Sequence, residues 1–242
     1  MKLNSIRVVL VETSHPGNIG ASARAMKTMG LEKLYLVSPR TFPDHKAIEM
    51  AAGADDLLAL AVVVPTLKEA LHGCQLIFMT SARPRELNLP GLTPHAAAIR
   101  MREMPDEAEI ALVFGRERTG LTNEELLHGH YHVEIPTNPA YSSLNLGQAV
   151  QIMAYEVARH VLVPLSELAP HKHAALATSE QVEQLYEHLE HVLRMIDFLK
   201  PSNPKHVMHR LRRLFNRAKL ETTEVNILRG MLKHIVRHTK ES

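Results

Sequence analysis

Six short runs rich in β-branched and large apolar residues recur in the first 136 positions, at Ile6–Glu12, Leu31–Ser38, Ala61–Pro65, Leu76–Ser81, Ile110–Gly115 and Tyr131–Pro136. Several of them, IALVF and LIFM among them, lack the apolar–polar alternation of a strand with one wet face. Strands apolar on both faces belong in a parallel sheet covered by helices on both sides. Helical patterns fill the intervals. Asn18 is placed to cap a helix that carries Ile19, Ala23 and Met26 and ends at Gly30, while Thr66 and Thr122 open segments that stop at Gly73 and Gly129. Alternating β and α elements predict an α/β fold with a mostly parallel sheet.

The pattern changes after residue 144. Leu144–Val163 reads as one long helix with Ala149, Ile152, Met153 and Val157 on a face, and Pro164 stops it. This predicts a first domain over residues 1–164, a linker over 165–178 with no clear period and two prolines, and a small all-helical domain over 179–242. Thr178 and Gln181 form a capping box ahead of Val182, Leu185, Tyr186, Leu189, Val192 and Ile196 at helical spacing. A turn at Pro201–Pro204 leads to a helix with Met208, Leu211, Phe215 and Ala218 inward and Arg210, Arg213 and Arg217 on another side. The last helix, from Thr223, has Leu228, Met231, Leu232 and Ile235 as its stripe.

Charge follows the same division. Residues 201–242 hold ten Lys and Arg against three acids, whereas the first 200 hold 18 against 23. A basic helical tail on an acidic body points to a polyanionic partner.

Several classes drop out. A single cysteine, Cys74, excludes an intramolecular disulfide framework and a thiolate zinc cage. The N-terminal apolar run is broken by Arg7, and no stretch approaches the ~18 apolar residues of a membrane span, so a cytoplasmic protein is expected. Gly17 and Gly20 do not complete a dinucleotide fingerprint, and Gly120 is followed by Leu121 rather than the lysine of a Walker A loop. Despite 16 histidines, no metal-binding spacing stands out, and His171 with His173 or His188 with His191 read as surface pairs.

Three loops remain that combine glycines with polar side chains at predicted strand ends, where open α/β sheets bind ligands. They are ETSHPGNIGASARAMKTMG, FGRERTGLTNEEL and IPTNPAYSSLNLGQAV. The third far exceeds the two to six residues of an ordinary strand-to-helix connection. In order and content, NIGASARA (Asn18–Ala25), FGRERTGL (Phe114–Leu121) and IPTNPAYSSLN (Ile135–Asn145) resemble the three motifs of the SPOUT superfamily of RNA 2′-O-ribose methyltransferases, in its TrmH-like branch. With the ending RLRRLFNRAKLETTEVNILRGML, the whole chain resembles the bacterial enzymes that methylate cytidine or uridine 32 of tRNA.

That resemblance implies a C-terminal trefoil knot in the first domain, bound S-adenosylmethionine, a homodimer with sites near its interface, and 2′-O-methylation of nucleotide 32 in the tRNA anticodon loop. It implies a donor cradle made by Thr80, Ser81, Ala82, Gly115, Ile135, Ser142, Ser143 and Leu144, and a catalytic set of Arg24, Glu117, Ser142 and Asn145. No metal is required under this reading. Arg24 stays protonated to beyond pH ~12, so its expected task is to orient the hydroxyl and stabilise its developing charge rather than to take the proton. Glu117 has a structural alternative, capping or pairing locally with Arg116 or Arg118, and Ser143 has one as a helix cap. Arg210, Arg213 and Arg217 are candidate phosphate contacts. The alternatives are the same reaction on ribosomal RNA and a non-catalytic RNA-binding module.

Overall fold

The computed structural model describes residues 2–81, 89–162, 175–199 and 204–240. Met1–His173 make one compact unit and Ala174–Ser242 a second.

In the first unit all six expected strands form: β1 (Ile6–Val11), β2 (Lys33–Val37), β3 (Val62–Val64), β4 (Leu76–Thr80), β6 (Ile110–Phe114) and β7 (Tyr131–Val133). A two-residue strand, β5 (Gly91–Leu92), was not foreseen. The sheet runs β3-β2-β1-β6-β4-β7-β5 and every pairing is parallel, with Val8 opposite both Leu34 and Leu112, and Phe78 opposite Tyr131. Position in that order accounts for composition. The inner strands β4 and β6 are buried along their whole length, as a sheet with two covered faces demands, whereas Val62 and Val63 on edge strand β3 are exposed. On one face Val9, Val113, Ile77 and Met79 pack with Leu67, Leu71, Leu121 and Leu126. Cys74 lies in this cluster, and burial pushes its thiol up to about 11. It is a packing residue, inert as a nucleophile.

The helices of this unit are α1 (Pro16–Thr28), α2 (His45–Ala51), α3 (Asp55–Ala59), α4 (Leu67–Ala70), α5 (Pro94–Arg102), α6 (Asn123–Leu126) and α7 (Leu146–Leu162). Thr66 and Thr122 cap α4 and α6 as predicted, the latter through a full capping box with Glu125. The expectation for Asn18 needs correction. Helix α1 starts at Pro16, whose missing N–H suits the first position, so Asn18 lies inside the first turn with its side chain free for other work. Helix α1 packs against α2 and α7. Gly147 explains the second contact: a Cβ there would stand 2.7 Å from the Ala21 Cβ, so only glycine lets these helices approach so closely.

The second unit has three helices, α8 (Ser179–Met195), α9 (Pro204–Ala218) and α10 (Thr222–Lys240). The capping box of Thr178 and Gln181 is present. Most of the expected linker lies outside the described residues, but its last part, 175–178, is tied into this unit. Leu176 bridges to Glu221, the Ala177 N–H donates to the Leu220 carbonyl at 2.8 Å, and Ala177 is buried. The core is built from Val182, Leu185, Tyr186, Val192, Met208, Val225 and Leu232. Ile196, Ala218, Met231 and Ile235, expected inward, are exposed instead: Ile196 falls just past the end of α8, Ala218 is the last residue of α9, and the buried stripe of α10 runs through Val225, Leu228, Leu232 and Val236. Arg212 also turns in, meeting Glu183 in a two-pronged pair at 2.6 and 2.7 Å and lying over the Tyr186 ring.

Candidate active site

Strands β4, β6 and β7 stop at the same edge of the sheet, and the chain leaves β6 and β7 into the second and third of the segments singled out above, while β4 ends at Thr80 and Ser81. The Thr80 hydroxyl donates to the Val113 carbonyl at 2.9 Å and the Ser81 N–H to the Val133 carbonyl at 3.1 Å, which ties the three strand ends together. Beyond β6 the chain doubles back so tightly that a Cβ on Gly115 would sit 2.3 Å from the Gly120 carbonyl carbon. Gly120 itself has φ +68°, a conformation that suits glycine. Arg116 fastens this loop by reaching Glu12 and both oxygens of Glu125. The hydrogen bonds it donates to Glu12 and then Glu125 raise its already high pKa, so it is a permanent cation. In the third loop Asn138 accepts from the Ala140 N–H, and the Thr137 hydroxyl donates to the Ser142 carbonyl at 3.2 Å. These bonds fold IPTNPAYSS into a ledge rather than a slack connection.

The ledge, the Gly115–Gly120 turn and the strand ends enclose a hollow. Thr80, Ser81, Gly115, Ile135, Ser142, Ser143 and Leu144 all line it, and Ala82 lies outside the described residues. Its apolar surface, which no loop motif announced, comes from Phe114, Val133, Leu146 and Ala149. Their strand and helix periodicity marked them only as core. Arg118 and Thr119 add an exposed polar rim. A wall of apolar side chains beside hydroxyls and a turn held close by glycine suits a flat heterocycle carrying polar substituents.

Glu117 also lines the hollow, and from it one hydrogen-bonded chain joins all three segments. Glu117 accepts from the Ser14 N–H and hydroxyl at 3.1 and 3.0 Å, from the His15 N–H at 3.2 Å, and from Asn18 Nδ2 at 3.0 Å. Asn18 Oδ1 accepts from Asn145 Nδ2 at 2.9 Å, and Asn145 Oδ1 accepts from the Gly147 N–H at 3.0 Å. Partial burial pushes the Glu117 carboxyl up, but the bonds from Asn18 and the Ser14 and His15 amides outweigh it, so its pKa is lowered and the group is ionised at neutral pH. Its partners are donors from the first segment, and neither Arg116 nor Arg118 pairs with it. The side chain of Asn145, not that of Ser143, accepts from an otherwise free amide in the first turn of α7, that of Gly147. The sequence assigns Asn18 a capping role and the first position of the first motif, but its central place depends on partners 99 and 127 residues away.

Arg24 is not brought into the hollow. It is exposed on α1, six residues and therefore ~9 Å of helix beyond Asn18, and does not line the cavity of the single chain. Arg210 and Arg217 are exposed on α9 and Arg213 is half-buried, and none of the three joins an ion pair among the described residues. Among the described residues, no helix is long and apolar enough to cross a membrane.

Residues 5–155 match the SpoU rRNA Methylase family, and residues 180–242 match the C-terminal domain of the tRNA methyltransferase TrmJ. Over 241 residues the chain is 52% identical to the tRNA (cytidine/uridine-2′-O-)-methyltransferase TrmJ of Yersinia pestis (strain Pestoides F), covering 98% of this chain and 94% of that protein. Among solved structures, TrmJ from Z. mobilis ZM4 aligns with a TM-score of 0.84 at 32% identity, over 95% of this chain and 98% of that one. At the level of fold alone, the SpoU methyltransferase AviRb from Streptomyces viridochromogenes, solved in complex with AdoMet, aligns with a TM-score of 0.52 at 23% identity, over 64% and 57%. The chain belongs to the SpoU methylase family, in the branch whose members carry a TrmJ-type C-terminal domain.

Proposed function

We propose that this protein methylates the ribose 2′-hydroxyl of cytidine or uridine 32 in the anticodon loop of tRNA, with S-adenosylmethionine as donor. The observation that carries the reading is the meeting of the end of β4 with the second and third segments around one hollow, lined by every described residue expected to cradle the donor, with the first segment fastened to both through Glu117 and Asn145. The named activity of the 52% identical Yersinia pestis protein supports tRNA over ribosomal RNA as substrate.

When bound, the donor supplies a methyl group already activated on a sulfonium. Val133, Leu144, Leu146 and Ala149 offer apolar surface for its adenine. Thr80, Ser81, Ser142 and Ser143 and the backbone at Gly115 and Ile135 offer polar partners for its ribose and amino-acid groups. Glu117, on the wall of the hollow, and Asn145, which does not line it, hold the three segments in register. Ser142 lines the hollow, half-buried and with no hydrogen bond to its hydroxyl among the described residues, so that hydroxyl is placed to meet substrate or donor directly.

Arg24 needs a second copy of the chain. An exposed guanidinium on α1 that misses the hollow of its own chain fits a homodimer in which it reaches the hollow of its neighbour. There it would orient the 2′-hydroxyl and stabilise the negative charge that develops as the proton leaves. The division into a methyltransferase domain over 1–164, knotted in its C-terminal part, and an RNA-binding domain over 179–242 belongs to the same reading, as does residence in the cytoplasm. Arg210, Arg213 and Arg217 would contact tRNA phosphates, a sequence-independent contribution that weakens as salt rises.

Incubating the protein with labelled donor and unmodified tRNA, digesting, and locating the label by mass spectrometry tests the proposal. Label on the 2′-oxygen of nucleotide 32 is the expected result. Label on a base, or in ribosomal RNA alone, rejects it.

A further inference from the structure

Helix α7 lines the hollow only at its start, through Leu146 and Ala149, and its other end carries a different set of groups. Glu156 and His160 are four residues apart, so both lie on one face. That face meets the beginning of α5, where His95 is the second residue. His160 Nε2 is 3.0 Å from His95 Nδ1 and Glu156 Oε2 is 3.5 Å from the same nitrogen. All three ligand atoms lie within 4.8 Å of one another, the one such trio of His, Cys, Asp or Glu among the described residues. Two ligands of a tetrahedral zinc ion at ~2.1 Å are themselves ~3.4 Å apart, so small side-chain rotations let these three share an ion.

Two features separate this cluster from an ordinary surface pairing. The first is Glu156 Oε2, which is closed off from solvent and accepts no hydrogen bond, although Arg159 Nη2 faces it as an ion pair at 3.1 Å. The second is crowding at His95 Nδ1, which meets both His160 Nε2 at 3.0 Å and Arg159 Nη2 at 2.7 Å. A neutral imidazole nitrogen has one lone pair, or one N–H, and cannot serve both neighbours well. A shared divalent cation resolves both. Each imidazole then gives a lone pair and the carboxylate its charge, while the half-exposed Arg159, which now stands where a cation belongs, swings into water.

We propose that His95, Glu156 and His160 form a binding site for a divalent transition-metal ion, with Zn²⁺ the best match to two imidazoles and one carboxylate. The ion clamps the far end of α7 to the start of α5. His95 is 53% exposed, which leaves the fourth position to solvent. Eleven residues, or ~17 Å of helix, separate His160 from Ala149 at the hollow, so the role is to fix helix packing rather than to take part in methyl transfer. No sequence spacing could announce the set, since His95 precedes His160 by 65 positions. The inference does not depend on the proposed reaction.

The test uses the full chain, stripped with a chelator and titrated with Co²⁺ and then Zn²⁺. One Co²⁺ per chain is expected to bind saturably, with the visible absorption of a tetrahedral nitrogen and oxygen site, and Zn²⁺ to displace it and raise Tm. Because 16 histidines can bind metal weakly elsewhere, His95→Ala is the comparator. Its exposed side chain can be removed without unfolding the protein, as circular dichroism will verify, and affinity should fall at least about tenfold. Arg159→Ala, which removes the competing cation, should bind more tightly. No saturable uptake, or equal uptake by the parent chain and a folded His95→Ala, overturns the proposal.

Discussion

Glu117 takes hydrogen bonds from Ser14, His15 and Asn18, all in the segment that leads into α1, so its carboxylate anchors that segment to the turn after β6. Glu117→Gln puts an NH₂ group against some of these donors and should cost about 1–3 kcal/mol, read as a lower urea midpoint. The pH response has a definite sign. With the folded pKa below the ordinary 4.5, the contribution of Glu117 is present above that value and is lost as pH falls through the lowered folded pKa. The parent chain should therefore lose more stability than Glu117→Gln on acidification below about pH 4.5; parallel unfolding curves for the two would contradict the anchor role. Little of this was visible in sequence. Glu117 and Asn145 could be named from motif resemblance, but Asn18 looked like a cap because helix patterning speaks only of neighbours in the chain.

At the scale of elements, the inner strands were legible because a sheet covered on both faces forces continuous apolar runs, as in LIFM and IALVF. Strand β5 was not, since two residues carry no period. On α10 Leu228 and Leu232 belong to the core as expected, but Met231 and Ile235 are apolar yet exposed, and Val225 and Val236 complete the stripe in their place. Gly147 stands in the first turn of α7, where helix propensity favours alanine, and the approach of α1 supplies its reason. Gly147→Ala should gain up to ~1 kcal/mol of helix propensity but lose about 1–3 kcal/mol to the clash with Ala21, for a net loss measurable by urea unfolding. Arginines on α9 divide by the same logic. Glu183→Ala strands Arg212 in a mostly buried place and should cost about 3 kcal/mol. Arg210→Ala should leave stability within about 0.5 kcal/mol while weakening tRNA binding and reducing the salt slope by about 0.9. Equal stability losses in the two variants would argue against an RNA role for that face.

For the whole molecule, patterning by itself points to three separate loops, and only the family resemblance implied that they converge. Which strand ends adjoin depends on the order β1-β6-β4-β7, and that order is set by packing between distant segments. The direct measurement is calorimetric titration of S-adenosylmethionine into the parent chain, Gly115→Ala and Arg24→Ala, each verified as folded. The account predicts saturable binding by the parent chain and by Arg24→Ala. It predicts binding weaker by about tenfold or more in Gly115→Ala, whose added Cβ forces the turn at Gly120 out of place. Undiminished donor affinity in a folded Gly115→Ala, or no binding by the parent chain, would contradict it.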